Sequence, residues 1–512
     1  MKTQQSYMYL GRVFTPTLWA EWCLETFGIY QAWRNGATIL EPTCGNGIFF
    51  KSLVKIAKRK GDSLSPTLFK SLFGVEIVNS DKRSFLQEFF NLTEMYFPEK
   101  NYISSDFLIY KSDKVFDIAI GNPPWENFTN LSSEYKNFTK SHFEKYGLVK
   151  SKQNVLLGAS RIDIAALIIK KCMSVHIKEG GHGYFFVPLS LFFNENANAH
   201  FRPCLNSDNV FSVSKIINFP SNVVFPSVKT KNGFVHLTKN SSQLNKIPYQ
   251  EIDSPNEKLL KIMWCFPSYN MSAWKLSKDG NSLSSLKTIE VDNCQKPRQG
   301  INTCGLNDIF IFQADYQENS SSFANFYNGL GEKIEFSTKY LLPIAHSGLF
   351  GRKNPKQQKY ILCLYNVNGK PLKWSEIEKL PGIADYLKKY KKEMINRKGV
   401  LIQNQISKGA YWSLLGVGSY TFKKWKILWE AMGKRDFQAI VVDGKWQGNQ
   451  AMHAYISSDN LENANRIKDE LNDIIPDHLA SFGMQGTCNW AQPGRVKQLL
   501  SFTESRSQLS LV

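Results

Sequence analysis

Apolar and polar residues along the first 240 positions follow two different patterns. Short apolar runs of strand length are separated by longer stretches in which apolar residues return every three or four positions, which is the spacing of one helix face. The pattern predicts strands at 37–40, 72–78, 103–107, 116–120 and 183–187, and helices at 48–60, 81–96 and 162–177. Strands separated by helices indicate an α/β fold with a doubly wound, mostly parallel sheet. In such sheets, ligands bind beyond the carboxyl ends of the strands.

The rest of the chain has a different composition. Residues 241–295 are polar and are interpreted as a segment connecting two domains, with a helix predicted at 256–264. Residues 296–512 mix short aromatic runs with irregular stretches rich in Gly, Asn and Lys, and favour an α+β domain. A chain of 512 residues, 42% of them hydrophobic, can bury about two or three cores. We therefore predict one domain at 1–240 and another at 296–512.

Composition limits the classes of partner and compartment. The chain has 63 Lys and Arg residues against 44 Asp and Glu, a formal charge of +19. This excess favours a polyanionic partner such as nucleic acid, although an ordinary basic protein fits equally well. The nine cysteines are odd in number and none is spaced as CxxC, so free thiols are expected rather than a zinc site. With no signal peptide and no run of eighteen apolar residues, we expect a soluble, cytoplasmic protein without a membrane partner.

A four-residue motif directly follows the predicted strand 116–120. It reads Asn122-Pro123-Pro124-Trp125. The lone pair of an amino nitrogen on a base is delocalised into the ring, and two acceptors aimed at the NH2 group would free it for methylation. The amide oxygen of Asn122 and the carbonyl of Pro123 can accept in this way. Pro124 stiffens the loop and Trp125 offers a ring for stacking an extruded base. Because the motif is short, a Pro-Pro turn with an incidental Asn and Trp is the alternative.

Three further strand ends carry candidate ligand contacts. Residues 41–47 (EPTCGNG) follow the first strand, and their glycines let the backbone pass close to a ligand. Glu76 at the second strand is placed to hold ribose hydroxyls, and Asp106 at the third to accept from an adenine amino group. Taken alone, an acid near a strand end is more often a helix cap or a loop residue than a ligand contact. Their order along the chain, each where an α/β fold needs it, predicts a nucleoside-binding site.

Together the motifs resemble the gamma class of amino-group DNA methyltransferases, of the TaqI type and its type IIG relatives. The resemblance covers Arg12 to about Thr238 with specific motifs and the remainder more loosely. It implies a Rossmann-like class I methyltransferase domain, S-adenosylmethionine as cofactor, and double-stranded DNA methylated at adenine N6 after base flipping. It implies the catalytic residues Asn122, Pro123, Pro124 and Trp125, and the cofactor-binding residues Phe14, Thr15, Pro16, Glu41, Thr43, Gly45, Gly47, Glu76, Asp106, Phe107 and Asn122.

In one place the sequence departs from this class. TaqI-type enzymes carry an aromatic residue shortly after a Val-Pro strand, where it supports the second face of the flipped adenine. The matching stretch here, residues 194–198, reads NENAN. Phe193 or Phe201 would have to take its place.

The second domain resembles a type IIG-like target-recognition domain, at residues 298–303 and 308–312. Basic residues among aromatic and polar loops suit phosphate and base-edge contacts, although a solvated Lys-rich face explains any single one. The candidate DNA-binding residues are Arg298, Arg352, Lys353, Arg397, Lys423 and Lys424.

Several alternatives remain open from the sequence. Cytosine N4, a guanine amino group in RNA and a protein glutamine amide can all be methylated with an Asn-Pro-Pro-aromatic motif. A non-catalytic DNA specificity subunit is an alternative of another class, which the intact motif argues against. Direct methyl transfer requires no metal, because alignment of the two reactants supplies most of the rate enhancement. Cys204 lies in the wrong place along the chain to act as a covalent nucleophile. Few residues precede Phe14, so any restriction endonuclease or defence-system subunit is expected on a separate chain.

Overall fold

The chain forms two compact units. The computed structural model describes residues 11–149, 162–194, 198–220, 222–228, 230–255, 261–269, 271–278, 289–292, 295–314, 323–432, 436–449, 452–481 and 491–503. One unit comprises Met1–Ser284 with Ser481–Met484, and the other comprises Ser285–Ala480 with Gln485–Val512.

The first unit is built on a large sheet. Its strands within the described residues are β1 (Ile39–Glu41), β2 (Leu72–Glu76), β3 (Tyr102–Ser104), β4 (Phe116–Gly121), β5 (Ile177–Pro188), β6 (Phe211–Phe219), β7 (Asn232–Lys239), β8 (Ile247–Glu251), β9 (Lys261–Phe266) and β10 (Lys275–Ser277). They lie in the order β10-β9-β8-β6-β7-β5-β4-β1-β2-β3. Neighbours from β3 to β5 are parallel, and β7 runs antiparallel between β5 and β6. The doubly wound sheet predicted from the sequence is confirmed, and the carboxyl ends of β1 to β4 meet at one edge.

Helices connect these strands. The described ones are α1 (Thr17–Thr26), α2 (Ile29–Arg34), α3 (Ile48–Lys60), α4 (Pro66–Phe69), α5 (Asn79–Thr93), α6 (Ser133–Lys145), α7 (Ile164–Lys171) and α8 (Ser190–Phe193). The prediction for α3 is confirmed at both ends, where glycines in the left-handed conformation cap the helix. The helix predicted at 162–177 is α7 followed by the π-helical turn Cys172–His176, and the strand predicted at 183–187 is the longer β5.

Aromatic side chains fill the core between the helices and the sheet. Trp33, Phe49, Phe50 and Phe85 are almost completely buried there. Each contributes about 1.5–3 kcal/mol from burial of its apolar surface. This packing holds α3 and α5 against the strands whose ends carry the predicted site residues.

The expectation of a connecting segment at 241–295 is wrong for residues 247–277. These residues form β8, β9 and β10 and extend the sheet beyond β6. The helix predicted at 256–264 is wrong for Lys261–Phe266, which is strand β9, while residues 256–260 lie outside the described residues. Tyr249, Cys265 and Leu276 are buried, one on each of these strands. The neighbouring residues of each strand are mostly less buried, so no clear two-residue alternation of apolar and polar positions is visible in the sequence.

The second unit has mixed α and β structure, as predicted. Its described strands are β11 (Ile289–Asp292), β12 (Arg298–Gln299), β13 (Ile311–Ala314), β14 (Phe323–Asn328), β15 (Lys333–Ser337), β16 (Leu341–Pro343), β17 (Lys359–Leu362), β18 (Trp425–Glu430), β19 (Ala439–Asp443), β20 (His453–Ser458) and β21 (Leu500–Thr503). The helices are α9 (Asn307–Phe310), α10 (Trp374–Ile377), α11 (Ile383–Lys389), α12 (Lys391–Ile395), α13 (Val400–Ile406), α14 (Leu461–Ser481) and α15 (Pro493–Lys497). The strands form sheets of order β15-β14-β13-β17-β16, β12-β20-β18-β19 and β11-β21. In the described parts of the chain, no helix has both the length and the apolar character to cross a membrane.

Candidate active site

The turn between β1 and α3 passes close to the rest of the sheet edge. Gly45 and Gly47 have φ values of +55° and +67°, in the left-handed region that favours glycine. A Cβ on Gly47 would lie 2.2 Å from the ring of Phe85 on α5. From the other side, the hydroxyl of Tyr102 donates to the carbonyl oxygen of Gly45. The turn therefore has a fixed shape that requires glycine at position 47.

The same turn carries two polar side chains with unusual surroundings. Glu41 is 2% exposed, and burial raises the pKa of its carboxyl group well above the usual range. The thiol of Cys44 donates to Glu41 at 3.3 Å. The hydroxyl oxygen of Thr43 is buried and has no hydrogen-bond partner within the described residues. Such an orphan group costs free energy unless a ligand satisfies it.

Glu76 ends β2 and braces this turn. One carboxylate oxygen accepts from the backbone N–H of Gly45 at 2.8 Å, and the other accepts from the N–H of Val78 at 3.0 Å. Burial raises the pKa of Glu76, and the two N–H groups oppose that shift. Each carboxylate oxygen has a second lone pair, so Glu76 can accept from a ligand while it holds the turn.

Asp106 and Phe107 begin the loop after β3. One oxygen of Asp106 accepts from the N–H of Leu108 at 2.7 Å, and the other accepts from the hydroxyl of Tyr135 at 2.8 Å. Phe107 is 3% exposed. The loop thus places a fixed carboxylate beside an apolar ring, a combination suited to a planar, amino-bearing ring system.

Asn122 follows β4, and its amide group is oriented by the N-terminal segment. Its nitrogen donates to the carbonyl oxygen of Val13 at 2.8 Å and contacts the hydroxyl of Thr15 at 3.3 Å. A carbonyl oxygen can only accept, so the nitrogen rather than the oxygen must face Val13. The amide oxygen is consequently held in the opposite direction, where it is buried without a partner among the described residues. Asn122 is therefore a pre-oriented acceptor for a donor that the protein does not supply.

Trp125 is fixed on three sides. Its indole N–H donates to the carbonyl of Phe186 at 3.3 Å, and its backbone N–H donates to Gly11 at 3.2 Å. The ring of Phe225 meets the indole edge to face, with 5.1 Å between ring centroids. Because the indole cannot turn freely, any ring stacked on it would have a defined plane.

The N-terminal segment also borders the turn at Gly45. Phe14 is 60% exposed, and its ring lies 3.9 Å from the position that a Cβ on Gly45 would occupy. The guanidinium of Arg12 stands over this ring at 5.3 Å and forms an ion pair with Asp81. Pro16 accepts from two N–H groups in the first turn of α1. The exposed ring is thus carried on a segment anchored at both ends.

One cavity brings most of the predicted residues together. The predicted residues that line it are Phe14, Thr15, Glu41, Thr43, Gly45, Glu76, Asp106, Phe107, Asn122 and Pro124. Pro16, Gly47, Pro123 and Trp125 are not in its lining. The strand-end residues expected to lie close together from their order in the sequence therefore share one site.

The cavity also has lining residues that the sequence did not point to. Tyr135, Ile164 and Ile168 belong to it. The two isoleucines are four positions apart on α7, a spacing that marks one helix face, but nothing in the sequence says which face meets the cavity. Tyr135 lies in no motif, and only its hydrogen bond to Asp106 reveals it.

The two candidates for a second stacking ring are not available at the surface. Phe193 is 1% exposed and packs against Tyr249, while Phe201 is 0% exposed and packs against Phe192. Both rings belong to the core, which corrects the expectation that either could replace the missing aromatic residue. Residues 195–197 of the matching stretch lie outside the described residues.

In the second unit, the basic candidates differ in how far they are already engaged. Arg352 donates to both oxygens of Glu430 at 2.7 and 2.8 Å, and Lys423 pairs with Asp459 at 2.5 Å. Lys353 and Lys424 are exposed. Arg298 lies 4.5 Å above the ring of Tyr420, and its Nε is buried without a hydrogen-bond partner in the described part of the chain.

The expectation that Arg397 binds DNA is wrong. Arg397 is 3% exposed, and its guanidinium donates to the backbone carbonyls of Met394, Tyr411 and Ser413 at 2.9, 2.6 and 2.7 Å. A buried guanidinium bonded to backbone oxygens holds loops together and is not exposed to a phosphate. Its position in a Lys-rich stretch of sequence gave no sign of this burial.

Part of the first unit matches a model of a known protein family. Residues 52–225 match the family model described as Eco57I restriction-modification methylase. This part of the chain is therefore similar to a restriction-modification methylase domain. The match begins within α3 and ends at Phe225, so it contains the strand-end residues Glu76, Asp106 and Asn122. A methylase domain of this class uses S-adenosylmethionine as its cofactor.

One relative is similar to most of this chain, and another is similar to less than half of it. The type II methyltransferase M.NspV of a Nostoc species is 26% identical over 451 residues, which cover 83% of this chain and 81% of that protein. The type II methyltransferase M.HincII of Haemophilus influenzae is 27% identical over 230 residues, 44% of this chain and 38% of that protein. These relatives support a DNA methyltransferase of the restriction-modification kind.

The solved structure of the type IIL restriction-modification enzyme MmeI in complex with DNA has the same fold. It superposes with a TM-score of 0.55 at 14% identity, covering 88% of this chain and 61% of the MmeI chain. The chain thus spans less than two-thirds of the MmeI polypeptide. The match extends well beyond the methylase domain, so the fold of the second unit is also represented in that enzyme.

Proposed function

We propose that the protein transfers a methyl group from S-adenosylmethionine to the exocyclic N6 of an adenine that is flipped out of double-stranded DNA. The observation that carries the proposal is the pre-oriented, unpartnered amide oxygen of Asn122 at the edge of the cavity. Adenine N6 offers the N–H donor that this oxygen lacks. The cofactor, when bound, supplies an electrophilic methyl group on a positively charged sulfur, so that transfer leaves the neutral thioether S-adenosylhomocysteine and releases one N6 proton.

Residues of the cavity have separate roles in this proposal. Glu76 accepts from the ribose hydroxyls and Asp106 accepts from the adenine amino group of the cofactor, with Phe107 against the ring. Glu41 and Thr43 provide polar contacts near the methionine part, over which Phe14 closes. Two orphaned polar atoms and two fixed carboxylates in one cavity fit a ligand that is polar at both ends and flat in between.

The target adenine is held by the loop after β4. Asn122 and the carbonyl of Pro123 each accept one N6 hydrogen, which draws the nitrogen toward tetrahedral geometry and localises its lone pair. Pro124 limits the motion of the loop, and the base stacks on Trp125, whose plane is fixed by Phe186 and Phe225. Extruding the base costs about a few kcal/mol, which stacking and hydrogen bonds in the site offset.

The product of the reaction tests the choice of base. Purified protein is incubated with unmethylated plasmid DNA and tritiated S-adenosylmethionine, and the DNA is digested to nucleosides. We expect the label in N6-methyldeoxyadenosine. Label in N4-methyldeoxycytidine would keep the fold and overturn the base, and label found only in RNA or protein would overturn the proposed substrate.

We further propose that the second unit, with boundaries near the predicted 296–512, recognises the DNA target. Arg298 is the candidate that the observations favour for reading a base, because its guanidinium is stacked on Tyr420 and its Nε has no hydrogen-bond partner among the described residues. A stacked guanidinium can donate two parallel hydrogen bonds to guanine O6 and N7. As the related proteins are named as type II methyltransferases, we propose that a restriction endonuclease works beside it on a separate chain.

Substitution of Arg298 separates base reading from phosphate binding. Arg298→Lys keeps the charge and loses the two-point contact, so it should weaken site-specific binding by about 1–3 kcal/mol and leave non-specific binding unchanged. Titrations of specific and non-specific duplexes over a range of salt concentrations measure both quantities. A uniform loss with a smaller salt slope would indicate a phosphate contact instead.

The matched control is Arg352→Lys. It makes the same exchange at a guanidinium already occupied by Glu430, so DNA affinity should change little. Equal losses in both variants, or none in Arg298→Lys, would contradict the proposed role of Arg298.

A further inference from the structure

The loop that follows β3 has an internal turn with free carbonyl oxygens. The backbone N–H of Leu108 donates to the side chain of Asp106, and those of Ile109 and Tyr110 donate to its carbonyl oxygen at 3.1 and 3.0 Å. These bonds satisfy the N–H groups of the turn. The carbonyl oxygens of Phe107, Leu108 and Tyr110 require donors from elsewhere.

A single lysine supplies all three donors. Lys171, the last residue of α7, is 3% exposed, and its ammonium donates to the carbonyl oxygens of Phe107, Leu108 and Tyr110 at 2.5, 2.9 and 2.7 Å. An ammonium group has three N–H donors and no acceptor, so the match in number is complete. The ammonium also lies 4.9 Å from the centre of the Phe107 ring. The shape of this loop is thus determined by a residue more than sixty positions away in the sequence.

The π-helical turn after Lys171 provides a second support beneath the same loop. It places His176, which is 0% exposed, against Phe107 and Tyr110, with ring centroids 5.4 and 5.3 Å apart. Burial lowers the pKa of His176 to about 4, so the ring is neutral and packs as an aromatic group. Isolated π turns often occur at functional sites, since they shift side chains relative to a regular helix.

The opposite end of α7 meets the loop that carries Asn122. The N–H of Ile164 donates to the carbonyl of Glu126 at 2.9 Å, and Asp163 caps the helix by accepting from Ala165 at 2.9 Å. Ile164 lines the cavity. One short helix therefore contacts the catalytic loop at its first residue and the Asp106 loop at its last.

We propose that Lys171 is a positioning residue, which holds the loop of residues 106–110 in the conformation that binds the adenine of S-adenosylmethionine. The proposal rests on the proposed function only in that Asp106 accepts from the adenine amino group. Without the ammonium, three carbonyl oxygens, those of Phe107 and Leu108 buried and that of Tyr110 half-buried, lose their donors and repel one another. The turn at Asp106 then relaxes, and the carboxylate no longer meets the amino group at a fixed position.

The test compares two ligands that differ at one substituent of the purine. S-adenosylhomocysteine carries the amino group, and S-inosylhomocysteine carries a carbonyl oxygen in its place. We expect the unmodified protein to prefer the first. Lys171→Met should weaken binding of S-adenosylhomocysteine by about tenfold or more, the effect of losing hydrogen bonds to a charged group. It should also reduce the preference between the two ligands, as measured by calorimetry.

The matched control is Lys170→Met, on the same helix. The Lys170 ammonium lies 5.2 Å from the ring of Phe211 rather than on the loop, so affinity and preference should stay unchanged. Lys171→Arg keeps a positive donor and should retain part of the preference. Unchanged binding in Lys171→Met, or an equal loss for both ligands, would overturn the positioning role.

A second measurement uses only the unmodified protein, so it does not require any variant to fold. Amide hydrogen exchange of the unmodified, cofactor-free protein should show slow exchange at Leu108, Ile109 and Tyr110, because the turn is already held. Fast exchange at these amides would overturn the proposal. Neither experiment contains DNA, so a failure of adenine methylation leaves both results interpretable. A protein that does not distinguish the two ligands would instead refute the role of Asp106, and with it this inference.

Discussion

Replacing Asn122 by alanine is expected to lower kcat for DNA methylation by about 10²- to 10³-fold, the range found when one pre-oriented hydrogen-bonding group is removed from an active site. In the proposed mechanism the amide oxygen is the acceptor that localises the lone pair on N6, so its loss should act on the chemical step. The cofactor dissociation constant should change much less, because Glu76 and Asp106 remain. Single-turnover methyl transfer and calorimetric binding of S-adenosylhomocysteine measure the two effects separately.

Asn130→Ala is the control for this experiment. Asn130 is exposed, donates to Glu126 close to the loop that carries Asn122, and does not line the cavity. Its substitution should leave kcat within about twofold, as is usual for surface changes away from buried features. If Asn122→Ala were as active as Asn130→Ala, methyl transfer would have to use other acceptors, and the proposed mechanism would be wrong.

Gly47→Ala is expected to reduce the free energy of unfolding of the first unit by about 2–5 kcal/mol. The backbone of Gly47 has a φ of +67°, which costs a residue with a Cβ free energy, and the added carbon would lie 2.2 Å from the ring of Phe85. Relief of the clash must displace either Phe85 or the turn. Urea unfolding followed by circular dichroism measures the loss, and cofactor affinity should fall with it.

Gly61→Ala separates the cost of the left-handed backbone conformation from the cost of the clash with Phe85. Gly61 caps the other end of the same helix with a φ of +72°, but no atom lies within 4 Å of its Cβ position. It should therefore show only the backbone cost, about 1–2 kcal/mol. Equal destabilisation by the two substitutions would mean that Phe85 moves aside without cost and that the turn tolerates a side chain.

The sequence predicted those parts of the fold in which local pattern and tertiary structure agree. The helix Ile48–Lys60 has an apolar face and a glycine at either end, so its pattern and its caps both indicate the observed boundaries. Strands β8 to β10 were missed because they are short and each buries only one or two side chains. The pairing of β8 with β6, on which β9 and β10 build, depends on the sheet already present, and no local signal carries that information.

Within the site, the order of residues along the sequence predicted the strand-end residues. It did not predict the residues that position them. Glu76, Asp106 and Asn122 follow successive strands, and parallel strands bring their carboxyl ends together. Tyr135 and Lys171 hold Asp106 and its loop through contacts between distant parts of the chain. The position of Arg397 was also not predictable from local sequence. Its lysine-rich surroundings suggested an exposed side chain, but tertiary packing buries it.

The tether of Asn122 to the N-terminal segment has a consequence for the protein during its synthesis. Val13 and Asn122 are 109 positions apart, and a chain leaves the ribosome N-terminal end first. A nascent chain that ends before Asn122 can contain the glycine turn and the carboxylates of Glu76 and Asp106, but it has no amide to orient. Conversely, the segment around Val13 waits without its partner until the first four strands have emerged. The ability to methylate DNA thus arises late in translation, when the ends of this 109-residue interval meet.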